Sequence, residues 1–156
     1  MTGEYFRLAL VAILGLLLIV AAVRDLRARI IDPWLTGGIA LMAPLWWLAN
    51  DVSWLGMGVQ LVCGLVVFTI FAVLFALGGM GGGDVKLLGA LALWFPWEAT
   101  VTLIVIMSLA GGLLTVATAV HHRMTRRLGK AEVPYGIAIS LAALWLLGER
   151  YFNQFA

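Results

Sequence analysis

The chain has one cysteine, Cys63, and it stands inside an apolar run. A lone thiol excludes an intramolecular disulfide and a thiolate set for structural zinc. Histidine is nearly as scarce: His121 and His122 are adjacent beside an arginine-rich loop, with no cysteine or second His pair to complete a metal set. Interfacial solvation is their expected role, and neither a metal nor a cofactor is expected. Charge is sparse too, at 12% of 156 residues against 63% hydrophobic, where an ordinary soluble domain has about 25% and about 45–50%. A soluble fold needs charge on its outer faces; this chain must put lipid there. The sequence pI near 9.0 reflects short basic loops at a membrane surface, and no nucleic-acid partner is expected.

What is present is a series of apolar runs separated by charged groups. Residues 5–23 are almost wholly apolar after Tyr5-Phe6-Arg7, long enough for a membrane helix, which needs about 20 such residues. Arg7 beside Glu4 makes a weak basic leader, and the strongly basic Arg24-Asp25-Leu26-Arg27-Ala28-Arg29 follows. A retained span with a cytoplasmic basic end is therefore expected over a cleaved signal peptide. Asp32-Pro33 reads as N-cap and first residue of a second span, running to about Ala49 and closing in Trp46-Trp47, an aromatic belt, and the polar turn Asn50-Asp51. A third span covers roughly 54–77, from Trp54 to Gly78-Gly79. The fourth apolar element, Leu87 to Trp97, is short unless it begins at Asp84 and uses Lys86 as a snorkelling anchor. A fifth span covers about 100–120 and contains Gly111-Gly112, a mark of close packing or of a bend. After the longest polar loop, a sixth runs from Pro134 to about Gly148.

The fold expected is all-α: one polytopic domain, residues 1–156, with about six transmembrane helices and both termini outside. This layout puts Arg24, Arg27, Arg29, Lys86, Arg123, Arg126, Arg127 and Lys130 in the cytoplasm and leaves Arg7 and Arg150 outside, as the positive-inside rule requires. It also collects Asp25, Asp32, Asp84 and Glu132 on the cytoplasmic side.

The chain is organised around Met80-Gly81-Gly82-Gly83-Asp84-Val85-Lys86. Asp and Lys each cost roughly 2.5–3.5 kcal/mol in hydrocarbon, yet they stand here beside three glycines able to take unusual dihedrals and allow close approach. A phosphate loop is excluded, because the run lacks the terminal Gly-Lys-Ser/Thr and the strand–loop–helix setting. Two carboxyl groups sharing one proton can hydrolyse an amide, one taking a proton from water and the other donating to the carbonyl oxygen. They must lie close together at one depth. Partners open to Asp84 are Asp25, Asp32 and Glu132. Asp32 has a structural role available as a helix cap, and Glu132 has basic neighbours and solvent. Asp25 is either the partner or an interfacial charge neutralised by Arg24, Arg27 and Arg29. The bland role for Asp84 is a helix cap, and Lys86 either pairs with it or anchors the helix at the headgroups.

These residues resemble the type IV prepilin peptidases, membrane aspartic peptidases with a G-x-G-D motif. Gly81-Gly82-Gly83-Asp84 matches that motif, and the run Gly79 to Ala90 is similar to the family's strongest block. Asp25-Leu26-Arg27 followed by Pro33 resembles the first-aspartate segment, and Val133-Pro134-Tyr135-Gly136-Ile137-Ala138 the terminal-span signature. The resemblance implies a catalytic pair, Asp25 and Asp84, at the cytoplasmic face of the bacterial inner membrane. It implies a pilin-like precursor as substrate, cut after a short basic leader and before a hydrophobic helix, with membrane lipid and pilus assembly machinery as further partners. Larger members carry a methyltransferase region and a four-cysteine segment. This chain has neither, and so is similar to the short peptidase-only branch of Flp-type tight-adherence pili, the TadV and CpaA proteins. It departs in one place: Ile31-Asp32-Pro33-Trp34 stands where the family commonly has Ile-Pro-Asn, which shifts the start of the second span and leaves Asp32 able to act on the pair.

A non-catalytic membrane scaffold or a small proton-coupled transporter is the competing reading, since membrane carboxylates also carry protons or organise bundles. A transporter would be expected to hold its acids nearer mid-membrane and to show repeated halves; these acids lie at span ends and no repeat is evident. Closure of the first span onto the glycine-rich turn is a further expectation, because nothing local holds residues so far apart in sequence together.

Overall fold

In lipid every backbone N–H and C=O needs an internal partner, and long apolar runs satisfy this as helices. The computed structural model describes residues 2–125 and 135–152, and all its regular elements are helical: α1 (Thr2–Ala28), α2 (Pro33–Ala49), α3 (Trp54–Ala76), α4 (Gly82–Ala92), α5 (Trp97–Thr125) and α6 (Tyr135–Phe152). Three helices are long and apolar enough to cross a membrane, over Gly3–Ala28, Trp54–Ala76 and Trp97–Thr118. The chain is thus an all-α polytopic membrane protein.

Helix α1 buries one stripe, Leu10, Leu14, Leu18 and Ala21, and the next residue on that stripe is Asp25. The spacing of three and four is the helical repeat. The helix stops at Arg29, in the left-handed region (φ 54°), whose N–H donates to the Asp25 carbonyl at 2.8 Å. Pro33 opens α2 as expected and Asp32 holds the N-cap position, but its side chain makes no cap bond. It forms an ion pair instead with Arg24, Nε to Oδ2 at 2.7 Å. At the far end of the same hairpin, Arg7 donates to the Ala49 carbonyl and lies 3.6 Å from Asp51.

The glycine-rich turn differs from expectation. Gly82 and Gly83 are already helical, with Gly81 as N-cap, and the left-handed residue is Gly78 (φ +77°). Helix α4 is only 11 residues long, about 16 Å, or roughly half the hydrocarbon thickness. Its interruption inside the bundle is stabilised by two indoles: Trp47 donates to the Leu93 carbonyl at 2.7 Å and Trp94 to that of Ile39 at 2.8 Å. Trp46 stacks on Trp94 with ring centres 5.6 Å apart. The expected Trp46-Trp47 belt is therefore in part a core, because the broken helix supplies carbonyls that need donors. Above the short helix lies a cavity of about 650 Å³ lined by Trp46, Asn50, Trp94, Trp97, Glu98 and Arg150 among others.

Helix α4 is the hub. It packs on α2, α3 and α6, while α1 packs on α2 and α6, and α5 on α6. Helices α2 and α3 scarcely touch each other, although they are consecutive. Helix α5 runs unbroken through Gly111-Gly112, and Gly111 marks close packing: a Cβ there would meet the Tyr135 ring at 2.7 Å, whereas one on Gly112 would meet nothing within 4 Å.

Candidate active site

Two carboxyl groups are buried at one end of the bundle. Asp25 is 5% exposed near the end of α1, and Asp84 is 8% exposed in the first turn of α4. The neighbours of Asp25 along the chain, Arg24, Arg27 and Arg29, are exposed, so its burial follows from the stripe that runs through Leu18 and Ala21.

Helix α6 delivers its N-terminus to Asp25. The Ile137 N–H donates to Oδ2 at 3.1 Å, and the Gly136 N–H is also directed at this carboxylate. Free amides of a first helical turn suit an anion. Gly136 has no room for a side chain: a Cβ there would meet Asp25 Oδ2 at 2.8 Å and Ile31 Cδ1 at 2.7 Å. Ile31 also covers Gly83, where a Cβ would lie 3.0 Å from its own Cβ. One buried isoleucine thus wedges α1, α4 and α6 together around the two acids. Tyr135 fixes the start of α6 from the other side, its hydroxyl 3.3 Å from that of Thr115 on α5.

Asp84 lies outside the three membrane-length helices. Burial first, and then the charge of Asp25, push its carboxyl up to about 7 against a backbone hydrogen bond from Gly81. The dominant cause is the loss of water around the charged form, and the second is like-charge repulsion.

The structure therefore brings together Asp25 and Asp84, close enough for the charge of one to act on the other. Asp32 is held by Arg24, and the charge that acts on Asp84 is that of Asp25. Lys86, two residues beyond Asp84, is exposed while Asp84 is buried, since positions two apart face opposite sides of a helix. Glu132, Arg126, Arg127 and Lys130 lie outside the described residues, as do the side chains of His121, His122 and Arg123. Among the described residues no three His, Cys, Asp or Glu side chains are grouped for a metal ion.

Ile31, Gly136 and Ile137 were not expected to touch the pair. Gly136 and Ile137 stand in the Val133 to Ala138 run that resembles the family's terminal-span signature, which is the signal that could have found them; nothing local marks Ile31.

Two adjacent carboxyl groups, one favouring its protonated form, can supply an acid and a base to one reaction. Neither a curated protein nor a solved structure matches the chain. A family model does: residues 12–116, more than half of the chain and inclusive of Asp25 and Asp84, match the type IV leader peptidase family. The protein belongs to that family and is a membrane peptidase.

Proposed function

We propose that the protein is an aspartic endopeptidase that removes the short basic leader from Flp-type prepilin or pilin-like precursors, with Asp25 and Asp84 as its catalytic pair. One observation carries this reading: two buried carboxyl groups from separate helices share a site, and one of them is held by the amides of a third helix. Asp25, which accepts from the Ile137 N–H at the start of α6, is the base. Asp84, in the first turn of α4 and with its carboxyl pushed up to about 7, holds the shared proton.

In the reaction Asp25 takes a proton from water as the oxygen attacks the scissile carbonyl, and Asp84 donates its proton to the carbonyl oxygen. The resulting diol collapses: Asp25 passes its proton to the leaving nitrogen, the C–N bond breaks, and Asp84 regains a proton from a diol hydroxyl. No proton is gained or lost by the pair over the cycle.

In this reading the chain is a multi-pass protein of the bacterial inner membrane. It crosses six times with its N-terminus outside, and the pair faces the cytoplasm, where a basic leader would lie. The positive-inside distribution supports that orientation.

The test is cleavage of a Flp-type prepilin by the purified protein, with Asp25→Asn and Asp84→Asn beside it and the new N-terminus sequenced. One cut before the hydrophobic segment is expected, with each variant slowed by about 10²–10⁴-fold or more while still inserting in the membrane. Full activity in Asp84→Asn would remove the reading. Loss in Asp84→Asn alone would direct attention to Asp32, and no cut by folded wild type would favour the scaffold.

A further inference from the structure

Because α2 and α3 both pack on α4 but scarcely touch each other, an open groove runs between them with α4 as its floor. Its volume is about 490 Å³, and it is lined by Pro33, Gly37, Ala40, Gly64, Lys86 and Gly89 among others. We propose that this groove receives the hydrophobic helix that follows the scissile bond in the precursor. The proposal rests on the peptidase reading above and assigns the surface that holds the substrate.

Three observations support a helix as the occupant. The groove opens at the same end of the bundle as the carboxylate pair: its floor begins at Lys86, in the first turns of α4 with Asp84 but on the opposite face, and one wall begins at Pro33, two residues from the Ile31 that packs over Gly83 and Gly136. A chain leaving the groove at this end has only the first turn of α4 to round before it meets the two acids. The floor extends from Lys86 to Leu93, about 10 Å or two helical turns, so it can align a helix along its axis. The wall offered by α2 carries only small side chains, Pro33, Thr36, Gly37 and Ala40, and a Cβ on Gly37 would meet nothing within 4 Å. Small residues let a second helix backbone approach closely in lipid, where packing rather than hydrophobicity drives association.

Gly37→Trp places an indole in the groove from a Cβ that meets nothing within 4 Å, and Gly38→Trp is the matched control, since its Cβ is equally open but Gly38 is not among the groove-lining residues. Cleavage of the full-length precursor is compared with that of a peptide cut short before its hydrophobic helix. Gly37→Trp should lower the ratio of precursor to peptide cleavage by about tenfold or more, through KM, and Gly38→Trp should leave it unchanged. In a Cys63→Ser background, Gly37→Cys should cross-link to a cysteine placed in the precursor helix. An unchanged ratio in Gly37→Trp overturns the proposal, as does cross-linking of Gly37→Cys to a second copy of the chain in place of the precursor. If wild type cuts neither substrate while Gly37→Cys still captures the precursor, the catalytic reading fails and the docking surface stands.

Discussion

Asp84 determines the sign of the pH dependence. Its folded-state pKa is raised from 3.8 to about 7, so the fold favours the protonated acid. The associated stability is fully present below about 3.8 and is lost as pH rises through about 7. Activity follows the same direction on its alkaline side, because the proposed acid must carry its proton. The rate of precursor cleavage is expected to decline as pH rises through about 7. Asp84→Asn, neutral at every pH, should be inactive yet keep its melting temperature between pH 6 and pH 8, while that of wild type falls. A wild-type rate flat from pH 6 to pH 9 would remove Asp84 as the acid. Asp32→Asn makes the opposite test: it breaks an ion pair with a half-exposed Arg24, worth at most about 1 kcal/mol, and cleavage should stay within a few-fold of wild type. Asp25 was legible only through the family resemblance, because residues 8–23 are apolar on every side and only burial picks out the stripe of Leu10, Leu14, Leu18 and Ala21 that it continues. The partner of Asp32 was not, because whether a carboxylate caps a helix or meets an arginine depends on a turn that the left-handed Arg29 shapes.

At the scale of helices, the position of α6 governs the site. Gly136→Ala would thrust a methyl group onto Asp25 and Ile31. Such overpacking costs typically about 1–3 kcal/mol, and here the strain falls on the carboxylate itself. Cleavage should drop at least about tenfold while the protein still inserts; Gly112→Ala, with open space beside it, should cleave normally. Tyr135→Phe removes only the hydroxyl contact with Thr115, worth about 0.5–1.5 kcal/mol, and should lower thermal stability more than the rate at permissive temperature. Element starts were legible where local chemistry decides them: Pro33 opens α2, and Ser53 caps α3 by accepting from the Gly56 N–H at 3.2 Å. The end of α4 was legible too: Pro96 has no N–H for the carbonyl of Ala92, four residues back, and its ring crowds that carbonyl, so the helix stops at Ala92. What was not legible is that Trp47, distant in sequence, supplies the donor for the Leu93 carbonyl. The role of Gly111 was undecided for the same reason: the ring it accommodates belongs to Tyr135, on another helix.

For the whole molecule, the two ends of the bundle differ in chemistry. One gathers Asp25, Arg24, Asp32, Asp84, Lys86 and the start of α6; the other holds Arg7, Asp51, Glu98, Arg150 and the tryptophan-lined cavity. Moving the basic end across the membrane would mean translocating Arg24, Arg27 and Arg29 together, each costing roughly 2.5–3.5 kcal/mol at the centre of the hydrocarbon on the insertion scale. In the proposed orientation, retaining them in the cytoplasm would fix α1 and, with six crossings, every helix after it. Single cysteines in a Cys63→Ser background test this orientation in intact cells with a membrane-impermeant maleimide. Trp54→Cys and Trp97→Cys, at exposed positions of the other end, should label from outside, and Arg27→Cys only after the cytoplasmic face is opened. Labelling of Arg27→Cys from outside would put the carboxylate pair on the wrong side for a precursor whose basic leader stays in the cytoplasm. A peptidase could still be present, but its substrate could not be a pilin-like precursor awaiting export.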